Sequence, residues 1–190
     1  MFARRLAFLA SCLILAGSVS ADLTRTEYDP MFQRAATRWI PEHDWRWLRA
    51  QCYQESRFDP VAVSPAGARG LCQFMPGTWG DARRAIGVAN VWNPKQNAWA
   101  AAWYMRRMLA IWIARRTDLE RLELAQASYN AGAGNVIAAQ RLCDDRRTWS
   151  EIRQCLVDVT GRHSRETIDY VRRIREWFCR SLTVTWIREK

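Results

Sequence analysis

The chain has 190 residues, of which 49% are hydrophobic, and its formal net charge is +10. This length suits one domain with a packed core, and the lack of internal repeats or low-complexity tracts excludes a solenoid or a disordered chain. Nearly all of the 29 basic residues are arginine. Such a balance favours a polyanionic partner, either nucleic acid or the anionic polymers and peptide carboxylates of a bacterial wall.

The N-terminus has the layout of a secretory signal peptide. Two arginines precede an apolar run over residues 6–16, and small residues follow up to Ala21. Residues 1–21 are therefore predicted to be a signal peptide cut near Ala21, and 22–190 to be the mature domain. The signal peptide predicts export of the mature protein to the periplasm or the cell envelope. No other stretch is apolar enough to span a bilayer.

Two alternatives for this N-terminal segment stay open. Cys12 and the three residues before it superficially fit a lipoprotein cleavage site, although the apolar core continues beyond the cysteine. The segment is also rich in Ala, Gly and Ser, which is similar to the uncleaved signal-arrest segments of some phage endolysins.

The next feature along the chain is a helix that carries an acid on its apolar face. Residues 22–41 are polar and mixed, and they are expected to cover the domain rather than to form a unit. Asp44 is the predicted N-cap of the helix, which should stop at Phe58 because Asp59-Pro60 cannot continue it. Its apolar stripe consists of Trp45, Leu48 and Cys52.

Glu55 occupies the next position on that stripe. A carboxyl group on the buried face of a helix loses solvation, so its pKa should rise. Carboxylic acids that stay protonated near neutral pH are the usual general acids of glycoside cleavage. Glu55 is therefore the candidate catalytic acid.

A glycine-rich return loop (residues 59–75) follows this helix and ends in a short apolar run over residues 71–75. We expect it to lay backbone and the side chain of Gln73 across Glu55. A new helix is predicted to start at Pro76.

Further helices are predicted for the rest of the chain, and a strand for its tail. Asn93 should cap one helix, and the pair Thr148 and Glu151 has the pattern of a capping box. The predicted helices cover residues 76–84, 94–114, 119–130, 135–141, 149–156 and 165–178, the last capped by Ser164. The alternating residues 182–187 predict an edge strand.

The cysteines suggest disulfides rather than a metal site. Cys143 and Cys155 bracket a polar segment, whereas Cys52 and Cys72 flank the proposed site and would staple the helix to the return loop. With Cys179, the mature chain has an odd number of cysteines, so one thiol is expected to be left over or paired with another chain. No spacing of cysteines and histidines resembles a zinc site.

Four ordered motifs carry a resemblance to a known family. Residues 55–58 (ESRF), 70–76 (GLCQFMP) and 128–132 (SYNAG) resemble motifs of the soluble lytic transglycosylase family, and residues 166–171 (ETIDYV) are similar to its C-terminal motif. One departure is Cys72, where the family usually has methionine; it alters packing near the site and raises the chance of a disulfide.

The resemblance implies a fold and an activity. The expected fold class is mainly α, an α+β lysozyme-like single helical domain with a short β-like return after the catalytic helix. The implied activity is cleavage of peptidoglycan without a cofactor or a metal. Most of the eleven tryptophans are expected in the core, and a minority in a groove that stacks sugar rings.

Glycoside hydrolysis ordinarily needs two carboxyl groups, whereas the resemblance implies that one is enough. Near Glu55 the sequence offers only Asp59, and it does not place the other candidates, Asp81, Glu166 and Asp169, close to Glu55. In lytic transglycosylases one glutamic acid protonates the oxygen between N-acetylmuramic acid and N-acetylglucosamine. The carboxylate then takes the proton of the muramic acid C6 hydroxyl, which closes on C1 to give a 1,6-anhydro sugar.

The resemblance also assigns roles to seven neighbours of Glu55. Tyr170 should bond to Glu55, and Ser56 should place its hydroxyl near the substrate or Glu55. The other five residues should contact the sugars: Gln73 by hydrogen bonds, Phe74 and Met75 as an apolar floor, and Tyr129 and Asn130 as the opposite wall.

Three rival functions remain on sequence grounds. A hydrolytic muramidase on the same fold would need a second carboxylate close to Glu55. A non-catalytic wall-binding module would tolerate Glu55→Gln. A nucleic-acid binder is disfavoured by the export signal and the lack of a nucleic-acid motif. The expected partners are peptidoglycan glycan strands, with a transient cell-envelope association and no nucleic acid; a secretion, pilus or phage assembly is a further candidate.

Overall fold

A computed structural model describes residues 26–188, and the side chains as far as residue 182. Within this range, eight helices follow one another: α1 (Asp29–Trp39), α2 (Trp45–Ser56), α3 (Pro76–Ile86), α4 (Pro94–Ile111), α5 (Asp118–Ala131), α6 (Ala133–Leu142), α7 (Trp149–Thr160) and α8 (His163–Arg188). The predicted signal peptide and its alternatives lie outside the described residues. Among the described helices, none has the length and apolar character that a membrane span needs.

The helix starts follow from capping side chains that satisfy free backbone N–H groups. Asp44 accepts a hydrogen bond from the Arg46 amide, and Asn93 accepts one from the Gln96 amide. Thr148 and Glu151 form the predicted reciprocal capping box at the start of α7. Three of the four predicted N-caps are therefore confirmed.

Most of the polar segment that is expected to cover the domain forms a helix. Asp29 and a proline in the first turn start α1, and Phe32, Ala35 and Ala36 are at most 2% exposed on one face of it. These residues pack α1 against α2 and α4. The sequence prediction for this segment misses the helix, because it weighs overall polarity rather than the apolar face.

Helix α2 ends at Ser56, two residues earlier than predicted. Arg57 and Phe58 both take left-handed backbone conformations, with φ of 56° and 64°. The turn inserts the Phe58 ring, which is fully buried, against the rings of Phe32 and Tyr53. Burial of this ring ends the helix at Ser56. The helix therefore stops before it reaches Pro60, which the sequence predicts to end it.

The C-terminal predictions are also wrong, because α8 is one continuous helix. Residues 182–187 continue it, and Ser164 lies within its first turn rather than capping it. No glycine or proline interrupts residues 163–188, so no local signal stops the helix. Its apolar residues Val171, Ile174 and Phe178 are buried.

The return loop is β-like but forms no extended strand within the described range. Two isolated bridges pair Arg69 with Val63 and with Phe74. Gly70 lies in the left-handed region, with φ of 77°, and a Cβ there would lie 2.5 Å from Nδ2 of Asn97 and 2.6 Å from the carbonyl oxygen of Val91. Only glycine fits this close approach to α4.

Helix α4 is the centre of the domain, and α8 closes it beside α2. Small residues of α4, the four alanines at 98 and 100–102, are fully buried, which lets α1, α2, α3 and α5 approach closely. Trp47 of α2 stacks on Phe178 of α8 with 3.8 Å between ring centroids. This stacking brings the C-terminal helix against the acid-bearing helix.

Both predicted disulfides are present. Cys52 is bonded to Cys72 with 4.4 Å between Cα atoms, and Cys143 to Cys155 with 5.8 Å. Cys179 is disulfide-bonded as well. The expected left-over thiol is therefore not found among the described cysteines.

Candidate active site

Glu55 lies in the last turn of α2 and faces a cavity of about 480 Å³. Residues from α2, the return loop, the C-terminal end of α5 and the first half of α8 line this cavity. Six of the eight residues that the sequence nominates are among them: Glu55, Gln73, Met75, Tyr129, Asn130 and Tyr170. The fold therefore brings these six residues, far apart in the chain, to one cavity.

The environment of Glu55 favours its neutral form. Loss of hydration on burial raises the pKa of its carboxyl group, and the negative charge of Glu166 adds to this effect, so that the pKa lies at about 8. The Tyr170 hydroxyl donates a hydrogen bond of 2.6 Å to Oε1 of Glu55, which lowers the pKa in part. The carboxyl group is thus protonated at neutral pH, yet close enough to its pKa to give up a proton.

Two tyrosines beside Glu55 stay neutral donors. Burial and the nearby Glu55 charge raise the pKa of both Tyr129 and Tyr170 well above the usual value for tyrosine. The Tyr129 hydroxyl donates to the carbonyl oxygen of Cys72 at 2.9 Å. The two phenols therefore fix the acid and the return loop by hydrogen bonds and contribute no charge.

Two amide side chains in the cavity have one polar atom each left over. Gln73 donates through Nε2 to the carbonyl oxygens of Ala62 and Gly70, at 3.1 and 2.9 Å, so its Oε1 is left as an acceptor. Asn130 accepts through Oδ1 from the Thr167 hydroxyl at 2.7 Å, which leaves its Nδ2 as a donor. These two side chains thus offer the cavity one acceptor and one donor in fixed positions.

The other two nominated residues support the walls of the cavity and do not line it. Ser56 donates its hydroxyl to the carbonyl oxygen of Leu71 at 2.7 Å, which ties the end of α2 to the return loop. Phe74 is 2% exposed and packs against the rings of Trp79 and Tyr129.

One face of α8 supplies cavity residues that the sequence does not place near Glu55. Glu166, Asp169 and Arg173 line the cavity together with Tyr170. Their spacing of three, four and seven residues is a helical stripe, which is visible in the sequence. It is polar, however, and nothing in the sequence tells a site-lining polar stripe from a solvated one. Four further residues complete the lining: Gln54, Ser64, Ala66 and Ala68.

The candidate second carboxylates differ in their placement. Asp59 accepts from the Val61 amide outside the cavity, and Asp81 pairs with an arginine of α3. Asp169 lines the cavity but pairs with Arg172 at 3.1 Å. Glu166 lines the cavity and acts on the pKa of Glu55, so it is the carboxylate to test beside Glu55.

The tryptophans take less part in the site than expected. Four of them, Trp47, Trp103, Trp112 and Trp149, are buried in the core as predicted. Within the described part of the chain, no tryptophan lines the cavity, and its aromatic residues are Tyr129 and Tyr170.

Comparisons with known proteins assign the domain. A family model, Transglycosylase SLT domain, matches residues 31–152. Membrane-bound lytic murein transglycosylase F of Aliivibrio fischeri is 34% identical over 134 residues, which cover 68% of this chain and 26% of that protein. The protein of the same name from Hahella chejuensis is 31% identical over 167 residues, covering 80% and 32%. The chain thus spans about a quarter to a third of the length of these curated relatives.

Solved structures share the fold. The 70-kDa soluble lytic transglycosylase of Escherichia coli superposes with a TM-score of 0.62 at 21% identity, over 85% of this chain and 25% of that one. A complex of the 70-kDa soluble lytic transglycosylase with bulgecin A gives a TM-score of 0.68 at 22% identity, over 84% and 25%. The expected lysozyme-like, mainly helical fold is confirmed. Together with the family match over most of the described residues, this shows that the chain belongs to the transglycosylase SLT domain family.

Proposed function

We propose that this domain is a peptidoglycan lytic transglycosylase that cleaves the β-1,4 bond between N-acetylmuramic acid and N-acetylglucosamine and leaves a 1,6-anhydro end. The observation that carries the proposal is the Glu55 carboxyl group. It faces a cavity large enough for sugar rings, burial raises its pKa to about 8, and Tyr170 holds one of its oxygens at 2.6 Å.

The hydrogen bond from Tyr170 assigns the two carboxyl oxygens. Because the tyrosine hydroxyl donates to Oε1, Oε1 is the accepting oxygen and the proton of the neutral acid resides on Oε2. Oε2 donates this proton to the glycosidic oxygen as the bond between that oxygen and C1 breaks. Tyr170 then stabilises the carboxylate that forms.

The same carboxylate acts as a base in the second step. It takes the proton of the muramic acid C6 hydroxyl while O6 attacks C1, and the anhydro ring closes. Glu55 ends the cycle protonated, and no water is consumed. A pKa near 8 suits both directions of transfer, because a group that is much more acidic or much more basic would perform only one of them well.

The amides of Gln73 and Asn130 suit an N-acetyl group. An acetamido group has one N–H donor and one carbonyl acceptor, and the cavity offers the complementary Oε1 of Gln73 and Nδ2 of Asn130. Met75, which is 45% exposed, adds an apolar surface for a sugar ring. We assign Ser56 and Phe74 a structural role, the support of the cavity walls.

The cellular setting follows from the same assignment. We propose that the protein is exported after cleavage near Ala21 and acts in the periplasm or cell envelope on glycan strands. The net charge of +10 suits the anionic wall and its peptide carboxylates better than a role with nucleic acid. A secretion, pilus or phage assembly is the class of partner that would bring such a domain to its site of action.

A hydrolytic muramidase is the second candidate function, because Glu166 lines the cavity together with Glu55. A hydrolase would use it to activate water, since inverting enzymes place their two carboxyl groups on opposite sides of the bond. A transglycosylase does not need it. Glu166→Gln is therefore the variant that separates the two reactions.

The test is the mass of the products that the purified protein releases from peptidoglycan. We expect anhydro-muropeptides from the wild type and from Glu166→Gln, and none from Glu55→Gln. Reducing products, one water heavier and lost in Glu166→Gln, would establish the hydrolase instead. If the wild type releases no products, and if it and Glu55→Gln bind peptidoglycan equally tightly, the protein is a non-catalytic wall-binding module.

A further inference from the structure

Cys72, in the return loop, is held at three points by three different helices. Its sulfur is bonded to Cys52 of α2. Its backbone N–H donates to Oδ1 of Asn97 of α4 at 2.8 Å, and its carbonyl oxygen accepts from the Tyr129 hydroxyl of α5 at 2.9 Å. Cys52, Cys72 and Asn97 are all fully buried.

Each of these attachments joins Cys72 to a part of the site. Cys52 is three residues before Glu55 on the same helix, Tyr129 lines the cavity, and Gln73 is the next residue in the chain. Gln73 has a left-handed backbone, with φ of 49°. A non-glycine residue keeps this conformation only when its surroundings impose it, and the fixation of Cys72 does so.

We propose that Cys72 is a positioning residue of the active site, and that its disulfide with Cys52 sets the distance between the proton-transferring carboxyl group of Glu55 and the amide of Gln73. The inference rests on the proposed function in so far as Gln73 binds substrate. It is distinct from that function, since it concerns how the return loop is held over the acid.

The disulfide differs in kind from the other contacts between α2 and the return loop. The hydrogen bond from Ser56 to Leu71, at 2.7 Å, can open and exchange with water, whereas the covalent bond cannot. Without the disulfide, the return loop is expected to move relative to α2, and water should reach the Glu55 carboxyl group. The groups that act on the pKa of Glu55 are Tyr170, through its hydrogen bond, and Glu166, through its charge. Both belong to α8 and not to the return loop.

The chain contains a matched control for this effect. Cys143 and Cys155 form a second disulfide, which joins the end of α6 to α7. Neither cysteine lines the cavity that contains Glu55. Its removal should lower the thermal stability and leave the site unchanged.

The experiment uses the full chain with Cys52→Ala/Cys72→Ala, and with Cys143→Ala/Cys155→Ala as the control. Circular dichroism first sets a temperature at which both proteins are folded. The Glu55 carboxyl is then titrated by infrared difference spectroscopy, with Glu55→Gln to assign its band, and kcat and KM are measured on peptidoglycan. If the double alanine variant does not fold, the single variant Cys52→Ala is used instead. It also lacks the disulfide but keeps the Cys72 sulfur in the core.

We expect loss of the Cys52–Cys72 bond to move the Glu55 titration from about 8 towards lower pH and to reduce kcat about tenfold or more, an effect of the size that misplacement of a proton-transfer group produces. The control should change neither. An unchanged titration and kcat, with only a lower Tm, would show that the bond is merely structural. If the wild type releases no anhydro product, the proposed function fails, while the titration still decides the positioning role.

Discussion

At the scale of single residues, the site depends on two opposing effects on one carboxyl group. Loss of hydration raises the pKa of Glu55, and the hydrogen bond from Tyr170 lowers it. The result, about 8, lies near neutral pH, where one group can act as acid and then as base. The tyrosine thus adjusts the proton affinity of the acid as well as its orientation.

Tyr170→Phe should therefore raise the pKa of Glu55 further and slow the reaction. The substitution removes the donor to Oε1, so the carboxylate formed after proton donation loses a hydrogen bond to a charged group, which contributes about 1.5–3 kcal/mol. We expect kcat to fall roughly ten- to a hundredfold. The alkaline limb of the pH–rate profile should move to higher pH, because Glu55 stays protonated longer.

Tyr104→Phe is the control for this substitution. Tyr104 packs against Phe74 and Tyr129 but does not line the cavity, so the same loss of a hydroxyl should leave the profile in place. An alkaline limb that does not move in Tyr170→Phe would contradict the assigned role of the hydrogen bond.

At the scale of elements, the close approach of the return loop to α4 restricts which residues the loop can contain. Gly67→Ala and Gly70→Ala form a matched pair, since both glycines have left-handed backbones, with φ of 86° and 77°. Each substitution should destabilise the protein by about 1–2 kcal/mol through the backbone alone. Only at Gly70 would the new Cβ also collide with Asn97 and Val91.

We therefore expect a larger loss of unfolding free energy in Gly70→Ala than in Gly67→Ala, measured by urea denaturation with the disulfides intact. Gly70→Ala should also lower activity, because its collision moves Asn97, which anchors Cys72. Equal losses in the two variants would mean that the loop can move away from α4 without cost.

Helix starts are the elements that the sequence predicts best, because a capping side chain acts within three or four residues. Asp44, Asn93 and Thr148 are correct for this reason. The end of α2 is set instead by the burial of Phe58, and the continuation of α8 beyond residue 178 has no local stop signal. The end of α2 thus depends on contacts that sequence spacing does not reveal, whereas the continuation of α8 agrees with the lack of glycine and proline after residue 178.

The same limit applies to the site. The motifs nominate Glu55, Gln73 and Tyr170, and these three residues line one cavity. Glu166 and Arg173 could not be assigned, because their place depends on the rotation of α8 about its axis. That rotation is set by its packing on α2, where Trp47 stacks on Phe178, and not by the polar residues themselves.

At the scale of the whole molecule, the site exists only in the folded chain. The hydrogen bond between Tyr170 and Glu55 joins residues 115 positions apart, and the cavity combines α2, the return loop, α5 and α8. Folding therefore removes much of the hydration of the Glu55 carboxyl group, which is half-buried at the wall of the cavity. The raised pKa links this loss of hydration to the stability of the protein.

The sign of that link follows from proton binding. Unfolding returns the pKa of Glu55 from about 8 to its ordinary value of 4.5. Below pH 4.5 both states are protonated, and the group makes stability neither rise nor fall with pH. Between pH 4.5 and 8 the folded state keeps a proton that the unfolded state has released, so stability falls as the pH rises, by at most about 1.4 kcal/mol per pH unit.

Glu55→Gln should consequently be more stable than the wild type, by a margin that widens from pH 5 to pH 8. Glutamine is neutral at every pH and keeps an oxygen for the Tyr170 hydroxyl, while all other titrating groups are shared and cancel in the comparison. Urea denaturation of both proteins at the two pH values measures the margin, and Asp158→Asn, at an exposed position, serves as the control for the loss of one negative charge. A margin that is the same at pH 5 and pH 8 would mean that the Glu55 carboxyl group is hydrated in the folded protein. The proposed acid–base cycle would then lose its physical basis, because a carboxyl group with an ordinary pKa is already ionised at neutral pH.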